Sequence, residues 1–139
     1  MKQDILTIYC DGGSRGNPGE ASYGFVIKDQ TGEVIYKEGK RIGIETNNVA
    51  EYMAVVSALF YVEREKIEAS RINFFLDSLL VVSQMNGKWK IKNERLRELL
   101  YSAKQTEKKL GILITFTAIP REQNKEADRM VNLALDNQI

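Results

Sequence analysis

Three β-rich runs precede the first helical periodicity in this chain, and that order restricts the folds open to it. Ile5–Cys10 is the first run and Ser22–Lys28 the second, separated by the turn-forming segment Ser14-Arg15-Gly16-Asn17-Pro18-Gly19. Asp29-Gln30-Thr31-Gly32 then leads into Glu33–Gly39, the spacing of a hairpin, so the chain is expected to open as three antiparallel strands. The period changes at Thr46-Asn47-Asn48. Behind that polar cap, Val49, Tyr52, Met53, Val56, Leu59 and Phe60 recur at helical spacing and predict a buried stripe. Ile72–Leu76 is a compact strand that feeds directly into Asp77, and Ser78–Met85 a short helix stopped by Asn86-Gly87. A helix over Asn93–Lys109 presents Leu96, Leu99, Leu100 and Ala103, Gly111–Ile119 forms the last strand before Pro120, and Asn124–Asp136 the last helix, with Ala127, Val131, Ala134 and Leu135 on one face. The order β-β-β-α-β-α-α-β-α predicts an α/β domain with a mixed sheet covered by helices.

With 139 residues and no repeat or linker, residues 1–139 read as a single domain whose core needs no disulfide. Twenty Lys and Arg face nineteen Asp and Glu, a formal charge of +1, so no global field draws in a polyanion and any nucleic-acid contact must rest on a local surface. Cys10, the one cysteine, falls within an apolar strand and reads as a buried thiol. The absence of histidine excludes a zinc site built on Cys and His. The opening MKQDILTIYC lacks the apolar stretch of a signal peptide, and no run reaches membrane-spanning length, so a soluble cytoplasmic protein with no membrane contact is expected.

Four acidic residues stand where the local pattern gives them more than one role. Asp11 ends the first strand before Gly12-Gly13, and Asp77 ends the fourth; each is either a turn aspartate or a carboxylate at the mouth of a sheet. Glu51 lies in the first turn of a helix, where the helix dipole alone explains it, yet it falls beside the apolar stripe and could face the sheet edge. Asp128 precedes Val131 and Leu135 by three and seven residues, on a face shared with Arg121, Lys125 and Arg129. Gathered together, these carboxylates repel one another, and hard divalent cations are the natural compensation. Such ions can orient water for attack and stabilise the departing oxygen of a phosphodiester, work that needs no histidine. One structural Mg²⁺ or Ca²⁺ is the alternative, although no EF-hand pattern is present.

The segments Asp11-Gly12-Gly13-Ser14-Arg15-Gly16-Asn17-Pro18-Gly19, Thr46-Asn47-Asn48-Val49-Ala50-Glu51-Tyr52, Asp77-Ser78, Lys92-Asn93 and Asn124-Lys125-Glu126-Ala127-Asp128 together resemble the type 1 ribonuclease H family over almost the full chain. The resemblance implies a ribonuclease H-like, five-stranded mixed sheet with strands 1–3 antiparallel, flanked by helices. It also implies an endoribonuclease that hydrolyses the RNA strand of RNA/DNA hybrids with two Mg²⁺ ions, Mn²⁺ being a substitute, and leaves 5′-phosphate and 3′-hydroxyl ends. Asp11, Glu51, Asp77 and Asp128 would be both catalytic and metal-binding. Asp11 would touch both ions, Glu51 and Asp77 the ion on the leaving-group side, and Asp128 the ion that activates water. A monomer is expected.

Hybrid recognition is assigned, on the same resemblance, to backbone groups of Gly12, Gly13 and Ser14 with Glu51 on the ribose side. The amides of Asn17 and Asn48 would address the minor groove, and Thr46 and Asn47, as helix-cap residues, the DNA phosphates. Lys88, Trp89 and Lys90, with Lys92, form the one basic and aromatic cluster, in which Trp89 is either a platform or part of the core. The chain departs from the family in three ways. The loop histidine of many bacterial members has no counterpart; Ala118 stands near its place, with Arg121 or Glu122 as candidates for part of its role. The basic protrusion of some members is reduced to Asn86-Gly87-Lys88-Trp89-Lys90-Ile91-Lys92, which predicts weaker and more salt-sensitive retention of the hybrid. Leu79 stands where many members carry Gln or Glu. Double-stranded RNA as a further substrate, and a hybrid-binding domain that does not cut, are the competing readings.

Overall fold

The computed structural model describes residues 2–139. Among them the chain forms β1 (Lys2–Arg15), β2 (Gly19–Lys28), β3 (Val34–Glu45), α1 (Asn47–Arg64), β4 (Glu68–Leu76), α2 (Leu79–Met85), α3 (Glu94–Leu110), β5 (Leu113–Ala118) and α4 (Lys125–Leu135), with one turn of 3-10 helix over Arg121–Gln123. The five strands lie in the order β3-β2-β1-β4-β5. β1–β2 and β2–β3 are antiparallel, whereas β1–β4 and β4–β5 are parallel, which is the mixed sheet expected. No helix among the described residues is long and apolar enough to cross a membrane.

Alternation along β1 and β4 sends Leu6, Ile8, Cys10, Ile72, Phe74 and Leu76 into one core with Tyr52, Val55, Leu59 and Val62 of α1. Cys10 is fully buried, in agreement with its sequence setting. β2 is buried from Ala21 to Ile27 without alternation, because α1 covers one face and α4 the other. Seating α4 requires Gly24: a Cβ there would lie 2.7 Å from the Ala127 carbonyl oxygen and from Met130 Cβ. Ser22 Oγ donates to the Val131 carbonyl at 2.7 Å at the same helix–sheet junction. α1, α2 and α3 begin where side chains satisfy free backbone donors: Thr46 Oγ1 accepts from Val49 N–H, Ser78 Oγ from Val81 N–H and Asn93 Oδ1 from Leu96 N–H. Gly111, at φ 64°, ends α3 in the left-handed conformation.

Three local expectations change. The glycine-rich stretch after Asp11 is strand, with Gly12 opposite Tyr23, Gly13 opposite Ser22 and Ser14 opposite Ala21, so Asp11 lies within β1 and the turn is confined to the residues before Gly19. Glycine in a strand here marks a close backbone approach rather than a turn. β3 continues past Gly39 to Glu45; Lys40 and Arg41 hide its alternation because an edge strand tolerates, and benefits from, exposed charge. Phe60, expected in the buried stripe of α1, is 47% exposed, since Leu59 and Val62 already fill the inward arc.

Gly24→Ala should lower the unfolding free energy by about 2 kcal/mol, the usual range for forcing atoms into a filled contact. Urea denaturation of the variant against the parent measures it, and an unchanged midpoint would contradict the close seating of α4 on β2.

Candidate active site

The parallel pairing of β1 and β4 stops at Cys10 opposite Leu76, while β1 continues antiparallel to β2 as far as Arg15. The sheet therefore parts at this level, and the next residue on each strand is an aspartate, Asp11 and Asp77. Glu51 reaches the same point because α1 crosses β1 at Gly12: a Cβ on that glycine would lie 2.2 Å from the Ala50 carbonyl carbon and 2.4 Å from Glu51 N. Each of Asp11, Glu51 and Asp77 offers a carboxylate oxygen, and the three oxygens lie within 4.8 Å of one another. Asp11 and Glu51 are buried and Asp77 is half-buried. Asp128, in the first turn of α4, is not in that closest group; it lines the same open cleft of about 440 Å³ beside the other three, with its Oδ1 3.9 Å from Arg121 Nη2.

Proximity changes the proton affinities of the group. Burial, then the charge of Asp77, push Asp11 up to about 7, with the charge of Asp128 a lesser contributor. Burial and the charges of Asp11 and Asp77 raise Glu51. Burial also raises Asp77, opposed by the Arg121 guanidinium and by a hydrogen bond from Asn124. Glu51 Oε2 is buried with no hydrogen-bond partner. A buried acceptor without a donor, next to two more carboxylates that cannot all ionise in comfort, has the ligand set and the charge that a hard divalent cation requires.

Asn124 stands beside the carboxylates in a setting that the sequence pattern concealed. Four residues before Asp128 and at the start of a helix, it reads as an ordinary cap, but its side chain makes no capping bond. It is instead buried, its Nδ2 donating to the Cys10 carbonyl at 2.8 Å while its amide also bonds the Asp77 carboxylate. Its own carbonyl accepts from Asp128 N–H at 3.1 Å. One residue thus joins the three elements that carry Asp11, Asp77 and Asp128.

The other predicted positions divide into two groups. Gly12, Gly13, Ser14 and Asn47 line the cleft. Asn47 Oδ1 accepts from both Ser14 N–H, at 2.9 Å, and Ser14 Oγ, at 3.1 Å, and Asn47 N–H donates to Asn17 Oδ1 at 3.0 Å. The Asn47 donor expected to be free for a phosphate is therefore engaged by Asn17, because the turn before Gly19 folds back onto the start of α1. Thr46 caps α1 and Asn48 is half-buried beside it. Lys88, Trp89 and Lys90 lie elsewhere, exposed on the segment between α2 and α3, and do not line the cleft; Trp89 is 48% exposed. Leu79, at the first position of α2, is 58% exposed.

A sheet of this order with carboxylates delivered to the parting of its central strands defines a ribonuclease H-like domain. A family model described as reverse transcriptase-like matches residues 9–134. A bifunctional protein of Mycobacterium tuberculosis is 39% identical over 132 residues, which cover 94% of this chain and 35% of that protein. Ribonuclease HI of Halobacterium salinarum is 36% identical over 134 residues, covering 93% of this chain and 63% of that one. The chain thus spans about a third of the first of these curated relatives and less than two thirds of the second. The solved structure of LC11 ribonuclease H1 in complex with an RNA/DNA hybrid has a TM-score of 0.90 at 38% identity, covering 96% of this chain and 98% of that one. The chain belongs to the type 1 ribonuclease H family.

Two measurements test the site without reference to activity. Because the Asp11 carboxyl is raised from 3.8 to about 7, the folded protein binds more protons than the unfolded chain between those values. In EDTA, stability should therefore fall as pH rises from about 4 to about 7, and Mg²⁺ should restore it at the high end; thermal melts across pH read this out, with Asp11→Asn weakening both effects and leaving the part that raised Glu51 and Asp77 contribute. Asn124→Ala leaves the Cys10 carbonyl without its donor and should cost about 2 kcal/mol in urea unfolding, within the range for an orphaned buried acceptor.

Proposed function

We propose that the protein is an endoribonuclease that hydrolyses the RNA strand of RNA/DNA hybrids through two divalent cations, Mg²⁺ in the first instance and Mn²⁺ as a substitute, leaving 5′-phosphate and 3′-hydroxyl ends. The observation that carries the proposal is the trio of carboxylate oxygens within 4.8 Å at the floor of an open cleft, one of them belonging to a residue with a buried, unpartnered oxygen. When bound, the cations supply activation of water and stabilisation of the charge on the departing oxygen. The protein's part is to hold them. In this reading Asp11 would hold both ions, Glu51 and Asp77 would hold the one on the leaving-group side, and Asp128 would help to hold the one that activates water.

Substrate recognition in the proposal begins at the cleft wall. Ser14 and Asn47 are already locked to one another, so the Asn47 amide meets the nucleic acid without first having to be ordered. A family neighbour solved with a hybrid bound supports the same class of substrate here. Lys88, Lys90 and Lys92, exposed outside the cleft, would reach phosphates further along the duplex, with Trp89 beside them. The expected molecule is a cytoplasmic monomer.

Purified protein with Mg²⁺ should cut the RNA of an end-labelled hybrid, spare single-stranded RNA and stop on addition of EDTA. Asp11→Asn should lower kcat by about a thousandfold or more, the loss expected when several kcal/mol of charge stabilisation disappear. Hybrid cleavage by Asp11→Asn at the parent rate would refute the assignment. Equal rates on double-stranded RNA and hybrid would broaden the substrate, and binding without cleavage by the parent would replace the enzyme with a binding domain.

A further inference from the structure

We propose that Arg95 and Glu45 form a clamp that sets the spacing between two hybrid-contacting stretches, the α1 cap at Thr46, Asn47 and Asn48 and the Lys88–Lys92 segment; this rests on the substrate reading above. The pairing is two-pronged. Arg95 Nη1 donates to Glu45 Oε1 at 2.9 Å, and Nη2 meets Oε2. A paired fork of this kind fixes orientation as well as distance, which a single lysine ammonium would not. The Glu45 side chain is only 14% exposed against 57% for Arg95, so the carboxylate is held in the body of the protein and the guanidinium comes to it from the surface.

The placement of the partners gives the pair its consequence. Glu45 is the last residue of β3, stands opposite Gly19 of β2, and directly precedes Thr46, the cap of α1. Arg95 is the second residue of α3, just beyond the Asn93 cap. A cation in the first turn opposes the helix dipole, so the stability of α3 does not account for an arginine there. The stretch between α2 and α3 has no regular structure of its own. It is fastened at its start by the N–H groups of Lys88 and Trp89, both donating to the Ser83 carbonyl, and in its middle by half-buried Ile91 against the core. Arg95 fastens its end to the residue next to the α1 cap, and through that cap to Asn47 in the cleft wall. Neither Glu45 nor Arg95 lines the cleft, so releasing the clamp loosens the grip on the duplex and leaves the chemical step intact.

Steady-state kinetics on a labelled RNA/DNA hybrid, with Mg²⁺ present, test this on the parent, Arg95→Gln, Glu45→Gln and the exchanged double variant Glu45→Arg/Arg95→Glu. Each single variant should raise KM by about fivefold, the order expected when one phosphate interaction is weakened at moderate salt, with kcat held within about twofold. The exchanged pair should bring KM back toward the parent value. Parent-like KM in both single variants would overturn the clamp, as would a fall in kcat at constant KM, or an exchanged pair no better than the singles. A KM rise that comes with a matching loss of kcat and a lowered melting temperature would also overturn it, because the pair would then be only structural. If the parent itself neither binds nor cuts the hybrid, the substrate reading fails and takes the clamp with it; if the parent cuts and the variants match it, the clamp alone fails.

Discussion

The crossing of α1 over β1 at Gly12 is the close approach on which the rest of the site depends. A single added carbon there would sit 2.2 Å from the Ala50 backbone, so any other residue would push the helix off the strand. The helix would then carry Glu51 away from Asp11, and the three oxygens now within 4.8 Å would be two. Nothing about the carboxylates themselves brings them together; desolvation and mutual repulsion both oppose it. Their gathering is imposed by apolar packing: the fully buried Tyr52, Val55 and Leu59 of α1 against Ile8, Cys10 and Phe74 of the sheet. At about 25 cal/mol per Å² of apolar surface, a few such side chains suffice to outweigh a cluster that disfavours folding.

A second consequence of the topology is the opening itself. Where parallel and antiparallel neighbours flank one strand, the two ladders need not end together, and here the β4 side stops at Cys10 while the β2 side runs on to Arg15. The gap that results is bounded by β1, by the start of α4 and by the exit of β4. Asn124 spans it: its buried side-chain amide donates to the Cys10 carbonyl of β1 and faces the Asp77 carboxylate, while its backbone carbonyl accepts from Asp128 N–H in the first turn of α4.

Much of this was legible in the order of residues. The change from β-rich runs to helical periodicity at Thr46 located the start of α1 to within a residue, since a capping hydroxyl followed by Val49, Tyr52 and Val56 has few other readings. The setting of Glu51 beside the apolar stripe allowed for a side chain facing the sheet edge, and it is buried there. Asp11 and Asp77 were legible as a pair because both follow apolar runs. Other features were hidden for physical reasons. Gly12-Gly13 resembles a turn when read locally, and only the helix crossing above it shows that Gly12 serves clearance rather than curvature. Asn124 has the outward signs of a helix cap, and nothing in a linear pattern says that its amide turns inward to the Cys10 carbonyl. Long-range pairs such as Glu45 with Arg95 have no local signature at all, because their separation in sequence, fifty residues, exceeds any periodicity that a window can register.

A formal charge of only +1 leaves the chain no general attraction for a polyanion, so on the proposed function the grip on a duplex would have to be local. An acidic cleft repels phosphate, and in that proposal the attraction would be divided between cations held by the carboxylates and side chains placed outside their reach. Two arginines also line the cleft: Arg121, close enough to Asp128 to ease the local excess of negative charge, and Arg15, paired with Asp136 at 2.7 Å. Lys88, Lys90 and Lys92 lie outside it, each free of the carboxylates whose charge would otherwise neutralise them. Separating positive from negative in this way would allow the proposed metal site to stay strongly acidic without forfeiting a hold on a duplex, provided that the two regions keep a constant distance. Rigid connection between them is therefore a requirement of the charge arrangement itself.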